Sequence, residues 1–369
     1  MKKKILIVTK HPESKGGVVN YYNHFFKVFD NPKYELQWFT VGSRPKDYHK
    51  RRNRSFSYGL DLLRDIFSFL FLMIRDRRIR IVQVNPSFIK VPLLRDSIFV
   101  FIAKLFRKKT IVFIRGWSDE FATQLKKSKG AFNFVFRILK KSDVILVLAH
   151  KFKESLVDLG FISENIAVTR TMYRNSDIRH AGNFMNKNLK FLYIGRLSEP
   201  KGVLDIIEAF KIIKEKNIDL SIDLYGHFSS KDIEEQIITL IDKYQLENTV
   251  RVNGFISGED KYKILSESDV FVFPSYHEGC PNSVIEALAA SLFIIATPVG
   301  AVDEIVENDK HGIIVPVNTP DLLAEKIIWS NNNFDIIKAR ALKNGPYALS
   351  NFEQEVIMTN LNYFYNNLY

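Results

Sequence analysis

The sequence predicts an α/β protein made of two doubly wound, Rossmann-like domains, and three observations support this. Short apolar runs rich in Val, Ile and Phe alternate with longer amphipathic stretches along most of the 369 residues. That alternation is the mark of strands joined by crossover helices in a parallel sheet. A polar segment of weak periodicity, residues 173–188 with Gly182 near its centre, interrupts the rhythm midway. Charge changes sign at the same place. Residues 1–185 hold 36 Lys and Arg against 15 Asp and Glu, a surplus of 21, while the remainder holds 17 against 26, a deficit of 9. The chain is long enough for two cores, and 46% hydrophobic content is that of an ordinary globular protein.

In the first half, strands are expected at 4–9, 34–41, 80–84, 110–115, 143–148 and 166–169, with helices near 17–29, 60–75, 92–106, 130–141 and 151–159. The opening apolar run is too short for a signal-peptide core and reads as the first strand. Phe69–Ile74, closed by Arg75-Asp-Arg-Arg, is the most hydrophobic run. It falls far short of the roughly 20 residues that span a bilayer, so it reads as a core-facing helix, with insertion at a membrane interface as the alternative. In the second half, strands are expected at 189–194, 220–225, 250–252, 270–273, 293–296 and 313–317. Helices lie between them near 201–216, 230–244, 259–267, 283–291 and 320–332. A last helix is expected from Ser350-Asn-Phe-Glu353, a capping-box spacing. It is rich in aromatics (Phe352, Tyr363, Phe364, Tyr365, Tyr369) that must pack on something. The domains are therefore expected at 1–172 and 189–345. The single cysteine, Cys280, allows no intrachain disulfide and suits a cytosolic compartment.

The chemistry concentrates in Glu278-Gly-Cys-Pro-Asn-Ser-Val-Ile-Glu286, which follows the strand 270–273 and opens a helix. This spacing sets two carboxylates near a helix N-terminus at the C-terminal edge of a parallel sheet, where open α/β sheets bind ligands. Upstream, Gly195-Arg196-Leu-Ser-Glu-Pro-Lys201-Gly202 joins a strand to a helix at the same edge and supplies two cations suited to a diphosphate. In the first half, Gly16-Gly17 follows strand 4–9 and opens a helix, so a phosphate can approach the backbone there. It is not a full G-x-G-x-x-G fingerprint, and no acidic residue follows at dinucleotide spacing, which counts against a nicotinamide enzyme.

These segments, with Thr297-Pro-Val-Gly300-Ala-Val-Asp-Glu304 and His311-Gly312-Ile-Ile-Val-Pro316, resemble the retaining glycosyltransferases of family 4. The resemblance covers most of the chain and is strongest in its second half. It implies the GT-B architecture, in which two Rossmann-like domains face each other across a cleft and the C-terminal helix, 350–369, returns to the first domain. It also assigns roles. Glu278 lies by the donor sugar. The backbone of Gly279, Cys280, Pro281 and Asn282 contacts sugar hydroxyls, Ser283 belongs to the same donor site, and Glu286 accepts from the ribose. Arg196 and Lys201 hold the diphosphate, Gly16 and Gly17 approach it from the first domain, and Ile256 belongs to the base pocket. No cofactor is implied beyond the nucleotide-sugar donor, with UDP favoured over GDP. The absence of any Asp-x-Asp in the sequence argues against a catalytic metal.

One position departs from the family pattern. After strand 110–115, where many members carry a histidine, this chain has Arg115-Gly-Trp-Ser-Asp119-Glu120. Arg115 is expected to bind the diphosphate or an acidic sugar, with Asp119 or Glu120 orienting it or the acceptor. Cys280 reads as a small residue lining the sugar pocket and His150 as structural, while His277 is expected to point away from Glu278. The acceptor is expected on the basic first half and to be a saccharide, lipid-linked, used in bacterial surface polysaccharide or lipopolysaccharide synthesis. The basic stretch Arg44–Arg54 (with Lys46, Lys50, Arg51 and Arg52), Lys104–Lys109 and helix 60–75 would let the protein sit peripherally on an anionic membrane. Rival readings are a sugar-nucleotide 2-epimerase of the same architecture and a degenerate domain that binds nucleotide without turnover. Nucleic acid is disfavoured because no recognition motif accompanies the basic surface.

Overall fold

The computed structural model describes residues 1–14, 16–42, 54–127, 132–174, 178 and 188–368. Residues 44–53 of the basic loop expected at 44–54 and the linker centre at Gly182 lie outside the described residues, and Arg54 opens a helix with its side chain outside them. The chain forms two compact units, Met1–Arg170 with Ile357–Tyr369, and Thr171–Val356.

The first unit runs β1 (Lys3–Thr9), α1 (Gly17–Val28), β2 (Tyr34–Thr40), α2 (Arg54–Arg75), β3 (Ile79–Val84), β4 (Ser87–Phe88) and α3 (Lys90–Leu105). It continues with β5 (Lys109–Phe113), β6 (Gly116–Trp117), α4 (Asp119–Lys127), α5 (Asn133–Leu139), β7 (Val144–Val147), α6 (His150–Asp158) and β8 (Ile166–Val168). Six strands form a parallel sheet in the order β2-β1-β3-β5-β7-β8. Ile5, Ile7, Ile81, Ile111, Phe113 and Leu146 are fully buried, as expected for strands covered by helices on both faces. Phe69 of α2 packs edge-on against Phe99 of α3 with ring centroids 5.0 Å apart. The two-residue pair β4 and β6 and the polar helix α4 were not expected, because elements so short or so polar leave no apolar period to read.

The second unit runs β9 (Phe191–Ile194), α7 (Val203–Glu215), β10 (Ile222–Tyr225), α8 (Lys231–Lys243), β11 (Val250–Val252), α9 (Gly258–Ser266) and β12 (Val270–Phe273). Then come α10 (Asn282–Ala289), β13 (Phe293–Ala296), α11 (Val302–Ile305), β14 (Gly312–Ile314), α12 (Pro320–Asn332), α13 (Phe334–Phe352) and α14 (Gln354–Asn367). Its parallel sheet has the order β11-β10-β9-β12-β13-β14. Order reverses beside β9, so β9 and β12 open onto the crevice where doubly wound sheets bind ligands.

The C-terminal region differs from expectation. Ser350 caps nothing; it lies in the last turn of α13, where its Oγ donates to the Pro346 carbonyl at 3.0 Å. The break falls at Glu353, whose carboxylate accepts from the Glu355 N–H at 2.5 Å. A strand-like bridge fixes it there, with Tyr173 N–H donating to Phe352 and Gln354 N–H to Tyr173. Helix α14 begins in the second unit and from Ile357 belongs to the first. Its buried face is Ile357, Met358, Leu361 and Tyr365, and the Tyr365 hydroxyl donates to Gln83 at 2.6 Å. Tyr363 instead faces solvent.

Candidate active site

At the C-terminal edge of the second sheet, the backbone is packed too closely to vary. After β9 the chain makes a single 3-10 turn, Glu199–Lys201, and enters α7 through Gly202 at φ 69°. A Cβ there would stand 1.9 Å from the Pro274 carbonyl oxygen. Only glycine accepts both the left-handed conformation and that approach. The next loop is tied to this turn: Tyr276 N–H donates to the Pro200 carbonyl at 2.9 Å, and the Tyr276 hydroxyl reaches Asp205 at 2.7 Å. Burial raises the Tyr276 phenol, and its bond to the Asp205 carboxylate acts in the same sense. Across the loop, Ala301 N–H donates to the Gly279 carbonyl at 2.7 Å, and Gly300, at φ 59°, leaves no room for a Cβ against Glu278 and Gly279.

These constraints present Lys201 and Glu278 to each other, and they form an ion pair. Glu286, on the first turns of α10, is paired with Lys261 of α9 at 2.7 Å, with side chains 15% and 19% exposed. Burial pulls the Lys261 ammonium down, but the adjacent Glu286 carboxylate and the Tyr262 hydroxyl together outweigh it and leave Lys261 raised. The two carboxylates of the motif are thus each neutralised by a lysine. Lys201, expected to meet a diphosphate, is paired with Glu278. Arg196 is exposed and, among the described residues, has no ion-pair partner. Helix α10 starts at Asn282 after Pro281 with no side-chain cap and no acid in its first turn. Its leading N–H groups and dipole therefore favour an anion.

Gly279, Asn282 and Ser283 are half-buried along this loop and helix start, with Pro281 buried. Cys280, also buried, lies 3.4 Å from the Thr171 hydroxyl, a packing position. His277 is exposed. Ile256 is half-buried after β11, next to Phe255, which stacks on His227 at 4.2 Å and 7°. Lys261 and His227 escaped the sequence analysis. Lys261 is 25 positions from its partner, and His227 follows a strand without any recognisable motif.

In the first unit, Gly16 (φ 136°) and Gly17 open α1, again without a side-chain cap. Arg115 follows β5 and is buried against α1, its guanidinium 3.8 Å from the Tyr21 ring centroid. Of the roles expected for Asp119 and Glu120, orienting Arg115 or the acceptor, the first is not met among the described residues. Asp119 accepts from the Trp117 indole at 2.9 Å and Glu120 from Gln124 at 3.0 Å. A cavity of about 650 Å³ opens at the opposite, N-terminal end of the second sheet, against Lys190, Asp219, Asp223, Arg251 and Glu267. None of the motif residues lines it. Its Asp223 and Arg251 satisfy each other through two bonds.

Residues 175–344 match the family model described as glycosyl transferases group 1. Among curated proteins, the putative colanic acid biosynthesis glycosyltransferase WcaL of Salmonella typhimurium is 26% identical over 60% of this chain and 56% of its own. The capsular polysaccharide biosynthesis glycosyltransferase CapM of Staphylococcus aureus is 29% identical over 66% of this chain and 68% of its own. The chain spans little more than half the length of the first relatives it matches. Among solved structures, a glycosyltransferase from Rickettsia africae superposes with a TM-score of 0.77 at 17% identity, covering 100% of this chain and 98% of that one. Anabaena Alr3699/HepE in complex with UDP gives 0.77 at 14% identity, covering 98% and 99%. The fold is GT-B.

Proposed function

We propose that the second unit binds a nucleotide-sugar, a UDP-sugar in the first instance, and that the protein transfers the sugar with retention to a saccharide acceptor. One observation carries this: two carboxylates eight residues apart, each held by a lysine, stand beside the uncapped start of α10 at the ligand-binding edge of the sheet. Such a site offers acceptors to sugar and ribose hydroxyls and positive charge to a diphosphate. As the sugar–phosphate bond breaks, negative charge grows on the leaving oxygen. Arg196, Lys201 and the α10 N-terminus are the groups that stabilise it. The acceptor oxygen bonds to the anomeric carbon on the same face that the phosphate leaves and passes its proton to the leaving phosphate. Two cations at this sheet edge and the lack of Asp-x-Asp favour a metal-independent reaction.

The names of the relatives favour bacterial surface polysaccharide as the product, and exposed apolar rows on α2 and α3 favour a lipid-linked acceptor at a membrane. The test is a panel of sugar nucleotides screened by thermal shift, followed by transfer assays. A stabilising donor should be lost with Glu286→Gln, whereas Glu278→Gln should keep binding and lower transfer by about 10²–10³-fold. Stabilisation with no released UDP under any acceptor would favour the non-catalytic alternative, and conversion of the donor to its 2-epimer would favour the epimerase. If no nucleotide-sugar in the panel raises the melting temperature, the proposal fails.

A further inference from the structure

Among the described residues, the first unit holds a buried charge with neither a hydrogen-bond nor an ion-pair partner for Nε or Nη1. Arg115 stands at the C-terminal edge of the β-sheet, its backbone N–H donating to the Pro86 carbonyl at 2.9 Å, and only 8% of the residue is exposed. Its guanidinium lies 3.8 Å from the Tyr21 ring centroid and 4.6 Å from that of Phe113. Among the described residues, neither Nε nor Nη1 has a hydrogen-bond partner, and no carboxylate lies at ion-pair distance. Asp119 and Glu120, the acids next along the chain, are bonded to Trp117 and Gln124.

A guanidinium does not lose its proton inside a protein. Buried without a counter-ion, it is one of the costliest groups a fold can hold, and aromatic faces offset only part of that cost. An arginine kept for structure has its fork filled, as Arg95 does with Asp96 at 2.6 and 3.0 Å. A fork left open is suited to a group with two parallel acceptor oxygens. Tyr21, which lies under the guanidinium, is one turn inside α1. That helix begins at Gly17 without a side-chain cap, and a Cβ at Gly16 or Gly17 would meet no atom within 4 Å. An unfilled guanidinium and an open helix start therefore lie at one sheet edge, and both favour negative charge.

We infer that Arg115 is the receptor for an oxyanion, a carboxylate or a phosphoryl group, carried by the substrate that the first unit handles. A hexuronate would supply the first and a phosphorylated or diphosphate-linked substrate the second. That the oxyanion belongs to a sugar substrate rests on the transfer proposed above; the receptor itself does not.

Thermal melts at constant ionic strength test it, with sodium glucuronate as the carboxylate probe, inorganic pyrophosphate as the phosphoryl probe and glucose as the neutral control. At least one anion should stabilise the wild type, and glucose should not. Arg115→Met should lose that shift, and Arg115→Lys should retain part of it with a half-saturating concentration raised about tenfold. A response to glucuronate alone assigns an acidic sugar, and one to pyrophosphate alone assigns a phosphoryl group. No anion response in the wild type, or equal responses in wild type and variants, overturns the inference. If Arg115→Met does not fold, the Lys variant decides. Nucleotide binding lost on Glu286→Gln is read separately. A failure there with the Arg115-dependent shift intact sinks sugar transfer alone.

Discussion

The effect of a single substitution here depends on what it leaves behind. Lys261→Met strips the cation from Glu286, which is only 15% exposed. Breaking a fully buried pair costs about 3–5 kcal/mol, and residual solvent contact at both ends reduces this to about 1–3 kcal/mol. Adding Glu286→Gln should restore most of it, because no charge is then stranded. A double-mutant cycle by urea unfolding measures the coupling, and additivity within about 0.5 kcal/mol would show that the pair does not act as one. Sign follows from the raised ammonium. The stability it adds is complete below the ordinary lysine value of 10.5 and is lost as pH rises through the higher folded value. The Glu278 and Glu286 spacing was legible because both residues lie in one unbroken motif. Lys261 was not, since nothing in a polar nine-residue helix marks which lysine turns inward.

At the scale of elements, the turns that shape the site are held by close backbone packing. Gly202→Ala places a Cβ 1.9 Å from the Pro274 oxygen at φ 69°, so we expect a loss of about 3 kcal/mol or more and weaker donor binding, because Pro274 leads into the Glu278 loop. Equal melting temperatures for variant and wild type would contradict this. His311 packs α13 against the strand edge: it is 2% exposed, stacks on Tyr347 at 3.8 Å, and its Nδ1 accepts from the Glu307 N–H at 3.3 Å. Burial pulls its imidazole below 6.5, with Lys310 acting in the same sense and Glu307 against it. The unfolded chain therefore binds the proton first. Stability should be complete above about pH 6.5 and decline as pH falls below it, a slope that His311→Asn should flatten in thermal melts between pH 7.5 and 5. Most strands and helices were legible because their periods are regular, with β11, β12 and β13 matching residue for residue. The final helices were not. Pro346 signals a break, but Asn344 anchors the same helix to the Leu292 and His311 carbonyls at 2.7 and 2.8 Å, and that packing carries α13 through the proline.

For the molecule as a whole, charge and exposed apolar surface coincide. The basic half of the sequence contains α2, whose Leu60, Leu63, Phe67, Phe71 and Ile74 recur every three or four residues and face solvent, Phe67 at 68% exposure. The neighbouring helix α3 repeats the pattern with Val91, Leu94, Phe101 and Leu105. Arg75 ends the first row, 5.8 Å from the Phe71 ring, and the exposed Arg107 ends the second, whereas Lys104 is paired with Asp143 and Lys108 is bonded to the Ile79 carbonyl. No helix among the described residues is long and apolar enough to cross a membrane, so such rows suit insertion in the plane of an anionic interface. Each basic residue near that surface adds about 1 kcal/mol, a term that salt screens, whereas burial of the phenylalanines is not screened. The protein should therefore sediment with vesicles rich in phosphatidylglycerol far more than with pure phosphatidylcholine, and raised salt should weaken this without abolishing it. Phe67→Glu with Phe71→Glu should lower vesicle affinity by more than about tenfold at an unchanged melting temperature, because both rings are already in water. Retention in the supernatant over anionic vesicles at low and high salt alike would rule out membrane docking. Unaltered sedimentation of the double variant would move the contact off α2 and leave attraction by charge alone.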